Sequence, residues 1–156
     1  MNPLNLAKWI GGDTSTVFPI ILRRFMVQDI QKADLYVTGL GYFEARVNNK
    51  LVSDERFVPL ISDYEPRPLH DTLTHSIYYN HYDITTLLKE GENILSVQLG
   101  NGWYRQTERI AEGNVSFGED LKAIFCMVLE SASGSYCIYS DGSETWRESE
   151  IVYSNL

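Results

Sequence analysis

The sequence predicts an all-β domain: an antiparallel β-sandwich or jelly roll with at most one or two short helical turns. Three observations carry this. Short runs of alternating apolar and polar residues recur along the chain, each closed by Gly, Asn, Asp, Ser or Pro. Aromatic residues are abundant, with 10 Tyr, 6 Phe and 3 Trp among 156 residues. Together with many Thr, Val and Ile they suit a pleated, half-buried surface. No stretch keeps a helical period for more than a turn or two. Seven or more short strands between turn signals mark a sandwich. A chain of this length buries a sufficient core as one domain, residues 1–156.

The elements follow in order. Lys8-Trp9-Ile10 reads as a short strand or plug, ended by Gly11-Gly12. Phe18 to Gln28 is a strand with mixed faces: Ile20, Leu22, Arg24 and Met26 on one parity, Ile21, Arg23, Phe25 and Val27 on the other. Lys32 to Gly41 alternates, with Ala33, Leu35 and Val37 inward. Tyr42 to Val47 alternates again, with Phe43, Ala45 and Val47 inward. Asn48-Asn49-Lys50 then turns tightly into Leu51-Val52 to close a hairpin, because Asn tolerates a left-handed backbone. Residues 53–70 hold Pro59, Pro66 and Pro68 and form a long loop. Leu73 to His81 reads as a strand. Asp83 is expected to N-cap one helical turn, with Lys89 at its negative end and Gly91 at C′. Asn93 to Leu99 is a buried strand, and Gly100-Asn101-Gly102 is a sharp exit from it. After a polar loop over 106–119, Leu121 to Glu130 and Tyr136 to Tyr139 form a pair around Ser131 to Ser135. Glu144 to Arg147 is a last short strand.

Charge and composition bound the function. A net charge of −8 and a pI near 4.8 argue against nucleic acid or an anionic membrane as partner. No 18-residue apolar stretch provides a transmembrane helix, and the N-terminus lacks a basic region followed by an apolar one. Cys126 and Cys137 flank a turn. A cross-strand disulfide is conceivable, but two free thiols in buried strands are expected, which favours a cytoplasmic location.

The chemistry-bearing residues gather at the Gly-Asn-Gly exit. Trp103, Tyr104, Tyr64 and Trp9 can offer flat apolar faces to a sugar ring. Asn101, Arg105, Asp63 and Asn48 can hydrogen-bond its hydroxyls. The competing reading is that these aromatics cap the core edge or a domain interface. Catalytic residues are not expected. The carboxylates Asp71, Asp83, Glu90, Glu92, Glu108, Glu112, Glu119 and Asp120 include no pair marked for acid–base work. His70, His75 and His81 read as surface or edge-strand residues. There is no Gly-x-Ser-x-Gly elbow and no phosphate-cradling glycine loop.

Four stretches together resemble the N-terminal domain of bacterial α-L-rhamnosidases of glycoside hydrolase family 78. They are Val37-Thr38-Gly39-Leu40-Gly41-Tyr42-Phe43-Glu44, Val47 to Val52, Tyr82 to Asn93, and Leu99-Gly100-Asn101-Gly102-Trp103-Tyr104. Ala7 to Ile10 and Asp141 to Leu156 also look like the start and close of that domain. The Tyr82–Asn93 pattern is shared with jelly rolls of other glycosidases; its combination with the glycine–aromatic motifs points to rhamnosidases. Two departures stand out: Asn49 where the family's turn has Gly, and a longer segment between Asp63-Tyr64 and Tyr82-Asp83.

The resemblance implies a galactose-binding-like sandwich excised from a larger multidomain glycosidase. The catalytic carboxylates of that enzyme lie in a separate helical barrel. The implied role is non-catalytic: helping to recognise a rhamnose-containing glycoside, or packing against the catalytic domain of the same polypeptide. The alternatives are an autonomous carbohydrate-binding module of another glycosidase family and a purely structural interaction domain. No cofactor is expected. Some related modules hold rhamnose through calcium, for which Asn48, Asn49 and Asn101 are the oxygen ligands to consider.

Overall fold

The computed structural model describes residues 2–13, 15–62, 64, 76–105 and 116–150. Ten strands follow in order: β1 (Ile10–Gly11), β2 (Pro19–Val27), β3 (Ile30–Gly39), β4 (Tyr42–Val47), β5 (Lys50–Leu51), β6 (Asn80–Asp83), β7 (Gly91–Gly100), β8 (Lys122–Ser131), β9 (Gly134–Tyr139) and β10 (Thr145–Glu148). They form two antiparallel sheets. One is ordered β1-β8-β3-β6, with β9 also paired to β8; the other is ordered β10-β2-β7-β4-β5. The predicted sandwich is therefore what the chain builds.

Alternation decides what lies between the sheets. Ala33, Leu35 and Val37 of β3 face Phe43, Ala45 and Val47 of β4, Leu95, Val97 and Leu99 of β7, and Ala123, Phe125, Met127 and Leu129 of β8 in one cluster. The period of two puts every second residue into this core, and a slip of one would turn the whole set outward. Strand β2 departs from simple alternation, as its mixed faces suggested. Ile21, Phe25 and Val27 are buried inward, and Ile20 is buried on the outer face. Arg23 shares the inward parity. It extends to Asp141, at 3.0 Å, and Glu144, at 3.1 Å, and also donates to the Ser143 hydroxyl. A core-parity cation is thus paired at the sheet edge, as a desolvated guanidinium requires.

The hairpin turn has Asn48 and Asn49 both at positive φ, 51° and 67°, and Val47 opposite Lys50. Those are the torsions of a type I′ turn, whose twist matches that of the strands. Three expectations need correction. The strand expected from Leu73 begins only at Asn80 within the described residues. The helical turn is a 3-10 turn over Thr85–Leu87 whose N-cap is Ile84. Asp83 instead accepts the Thr85 N–H at 2.9 Å, one position earlier, as an Asx turn. Leu88, not Gly91, ends that turn, no basic residue lies in it, and Gly91, at φ 85°, opens β7.

Asn93 explains why this turn is shaped so. Its side chain is fully buried. Its Oδ1 accepts from Asn48 Nδ2 at 2.7 Å and from the Lys89 N–H at 3.0 Å. Its Nδ2 donates to the Lys89 and Gly91 carbonyls at 2.7 and 3.0 Å. Asn48 in turn donates to the Leu87 carbonyl and accepts the Ile94 N–H. One asparagine pair therefore ties the 3-10 turn, the β4–β5 hairpin and the start of β7 together, with each amide group satisfied.

The free cysteines differ from expectation in burial. Cys126 is buried, whereas Cys137 on the outer strand β9 is exposed. Burial pushes the Cys126 thiol up to about 12, with the Cys137 sulfur alongside adding to the shift.

Candidate functional site

Two glycine corners meet at one end of the sandwich. The β3–β4 corner carries Gly41 at φ 92°, and the exit from β7 carries Gly102 at φ 49°. Tyr42 pairs with Gly100 in the ladder. A Cβ on Gly41 would run into the Gly100 carbonyl oxygen and lie 2.7 Å from that of Asn101; one on Gly102 would lie 3.0 Å from the Tyr42 nitrogen. Close backbone approach and a left-handed torsion together demand glycine here. This contact brings the two motifs, separated by some sixty residues in sequence, onto one surface.

The corner then presents aromatic rings. Trp103 is 41% exposed, and its side chain lies beside the Tyr42 hydroxyl, pulling that phenol's pKa down against the larger upward push of burial. The Tyr42 ring meets Phe57 edge-on at 5.6 Å. Phe57 is 70% exposed and held at φ 57°, a torsion that a bulky side chain adopts only under constraint. A second ring cluster lies deeper. Tyr64 packs edge-on against Tyr104 at 5.1 Å and against Phe117 at 5.3 Å. Burial raises both the Tyr64 and the Tyr104 hydroxyls above the usual phenol range, Tyr64 despite hydrogen bonds involving Ser62 and the Gly41 backbone.

Arg105 locks this corner to the other strands. Its Nε–H donates to Asn101 Oδ1 at 2.7 Å, Nη1 to the Glu119 carbonyl at 2.9 Å and Nη2 to the Val17 carbonyl at 2.5 Å. Its guanidinium carbon stands 5.3 Å from the centre of the Phe18 ring. Desolvation lowers its pKa. Each nitrogen of the fork has an internal acceptor, which makes Arg105 a brace.

The sequence-level candidates therefore separate. Trp103 is exposed; Tyr104 and Tyr64 are half-buried and packed on each other; Asn101 is buried and Arg105 is engaged internally. Asp63 lies outside the described residues, as do His70 and His75. Trp9 precedes β1 on the edge of the other sheet and joins none of these ring pairs. His81 sits on the edge strand β6, its Nε2 2.7 Å from Asp34 Oδ1 and its ring stacked on Tyr36 at 4.6 Å. Tyr42 and Phe57 were missed by sequence reasoning. Tyr42 follows a glycine corner and was read only as a strand residue; nothing local in Arg56-Phe57-Val58 marks the positive torsion.

The three asparagines do not form a calcium site. Asn48 and Asn49 follow the end of β4 whose start pairs beside Asn101, so about 20 Å of strand separates them. Asn48 is bonded at both ends of its amide, and Asn101 Oδ1 faces a guanidinium. Among the described residues no group of three His, Cys, Asp or Glu side chains could hold a metal.

Fold and corner together define a class: an antiparallel β-sandwich domain whose specialised residues sit on loops at one end. The chain belongs to the α-L-rhamnosidase N-terminal domain family, whose model matches residues 28–156. It is 30% identical over 136 residues to an α-L-rhamnosidase of Formosa agariphila, covering 83% of this chain and 13% of that protein. The crystal structure of native α-L-rhamnosidase from Aspergillus terreus superposes with a TM-score of 0.79 at 30% identity, covering 93% of this chain and 17% of that one. That of the Streptomyces avermitilis α-L-rhamnosidase, complexed with L-rhamnose, gives 0.75 at 26% identity, covering 90% and 13%. The chain thus spans between about an eighth and a sixth of the length of these proteins.

Proposed function

We propose that this chain serves as the non-catalytic accessory domain of an α-L-rhamnosidase, the parent enzyme removing terminal rhamnose from glycosides. Its contribution is to hold an aromatic surface to the rhamnoside. The observation that carries this reading is the Trp103 ring, 41% exposed and set beside the Tyr42 hydroxyl at the glycine corner. A sugar's C–H face packs on such a ring while its hydroxyls remain hydrated. A preset ring loses little freedom on binding.

Titration of the chain with L-rhamnose, with and without calcium, followed by tryptophan fluorescence and calorimetry, tests it. Millimolar-range binding that Trp103→Ala abolishes, in a variant that stays folded, is the expected result. A second reading has its own support: Phe57, Leu60 and Ile61, all strongly exposed in one segment, suit packing against a neighbouring domain of the same polypeptide. Unchanged spectra at high rhamnose would favour that reading over direct sugar contact.

A further inference from the structure

The second sheet carries a groove of about 470 Å³ on its outer face, on strands β10, β2, β7 and β4. That volume is in the range of small-molecule sites. Ladder pairing fixes what lines it. One row across the sheet reads Arg147, Ile20, Gln98, Glu44; the next reads Thr145, Leu22, Ser96, Arg46. Arg24 follows two residues beyond Leu22, paired with Ile94. The floor is therefore aliphatic and the walls are hydrogen-bonding groups. From Arg147 to Glu44 is three strand spacings, about 14 Å, long enough for a short oligosaccharide.

The charge of this groove opposes that of the chain. Three guanidiniums face one carboxylate, in a protein of net charge −8. Two are partly neutralised: Arg46 pairs with Glu44 at 2.8 Å, and Arg24 with Glu92 at 3.0 Å. Arg147 has no ion pair or hydrogen bond with another side chain among the described residues, and it stands exposed on the edge strand. A planar guanidinium fork matches a carboxylate or sulfate group two bonds at a time.

We infer that the outer face of this sheet is a binding groove for an acidic saccharide, its carboxylate or sulfate seated on Arg147 and its ring hydroxyls on Gln98, Ser96 and Arg46. It borrows from the proposed function only the ligand class; Trp103 is not among the groove's lining residues. A saccharide is favoured over a neighbouring protein domain because a groove of about 470 Å³ is the size of a small-ligand site and its lining includes a guanidinium with no side-chain partner among the described residues, free to take a carboxylate or sulfate.

The test uses the full-length protein and three probes: a glucuronic acid–glucose disaccharide, the matching neutral glucose disaccharide, and sodium sulfate. Calorimetry at low salt is expected to show the acidic disaccharide binding at least tenfold more tightly than the neutral one. Added salt weakens that binding. Arg147→Glu reduces it at least tenfold with thermal stability retained. Equal binding of the two disaccharides overturns the inference, as does an Arg147→Glu variant that binds as well as the parent. Sulfate binding as tightly as the acidic disaccharide reduces the groove to an ion site and also overturns it. No binding by the full-length protein, with chemical cross-links from β10 to the rest of the polypeptide, would assign this face to a neighbouring domain instead. If rhamnose binding at Trp103 fails while the acidic probe binds, only the corner reading falls.

Discussion

Replacing Asn93 with alanine should be among the most damaging single substitutions outside the aliphatic core. The side chain makes four hydrogen bonds in a fully buried site. Each is worth about 1 kcal/mol net, and a buried group left without a partner costs about 1–3 kcal/mol. Alanine strips the acceptor from the Lys89 N–H and from one Asn48 amide hydrogen, and the donor from two carbonyls. A loss of about 4 kcal/mol follows, or roughly 8–16 °C in Tm for a domain of this size. Urea unfolding followed by circular dichroism measures it. Asn93→Asp adds a sharper arm. It is nearly isosteric, yet it points an oxygen at the Lys89 and Gly91 carbonyls and buries a charge. At neutral pH it should be at least as unstable as the alanine variant. Burial without a cationic partner raises such a carboxyl above its unfolded value. Stability is then greatest below the unfolded pKa and is lost as pH rises through the folded one, so the aspartate variant should recover in part on acidification. A loss under 1 kcal/mol for alanine, or a wild-type-like aspartate variant at neutral pH, would refute the bracing role.

Three further outcomes are expected. Gly41→Ala should cost at least about 3 kcal/mol in denaturant unfolding, since it adds a Cβ at φ 92° against the Gly100 and Asn101 carbonyls. Asp141 has its carboxyl held well below 3.8 by hydrogen bonding with Ser143 and then with Arg23. A depressed folded pKa gives stability that is complete above the unfolded value and lost as pH falls toward the folded one. Asp141→Asn should therefore flatten the fall of Tm between pH 4 and pH 2. With a thiol reagent at pH 8, one thiol per native chain, that of Cys137, should react promptly. Cys126, buried and with its pKa pushed up to about 12, should react only after unfolding.

Much of the corner could be read before any coordinates. Gly-Asn-Gly after an apolar run announces a sharp strand exit, and Gly-Leu-Gly-Tyr announces another. That these two corners touch, Gly102 against the Gly41–Tyr42 backbone, is written in no local pattern. The contact depends on β4 and β7 pairing in a register that puts Tyr42 beside Gly100. Phe57 and Arg105 were opaque for the same reason. Phe57 takes its ring partner from Tyr42, and Arg105 takes its acceptors from segments at residues 17 and 119. A long polar side chain beside a tryptophan reads as a ligand contact until the carbonyls around it are known.

Alternation and turn chemistry alone determined that this chain is a two-layer antiparallel sandwich, which residues line its core, and where β4 turns back on itself. These are local consequences of a side-chain period of two and of the torsions that Asn and Gly accept. The glycine–aromatic motifs also marked its family. Tertiary structure alone decided which candidates stay open to solvent, and that the arginines of the second sheet, dispersed at positions 24, 46 and 147, converge on one groove. Strand order and register make that convergence, and both are set by how distant segments share a core, which no short window of sequence contains.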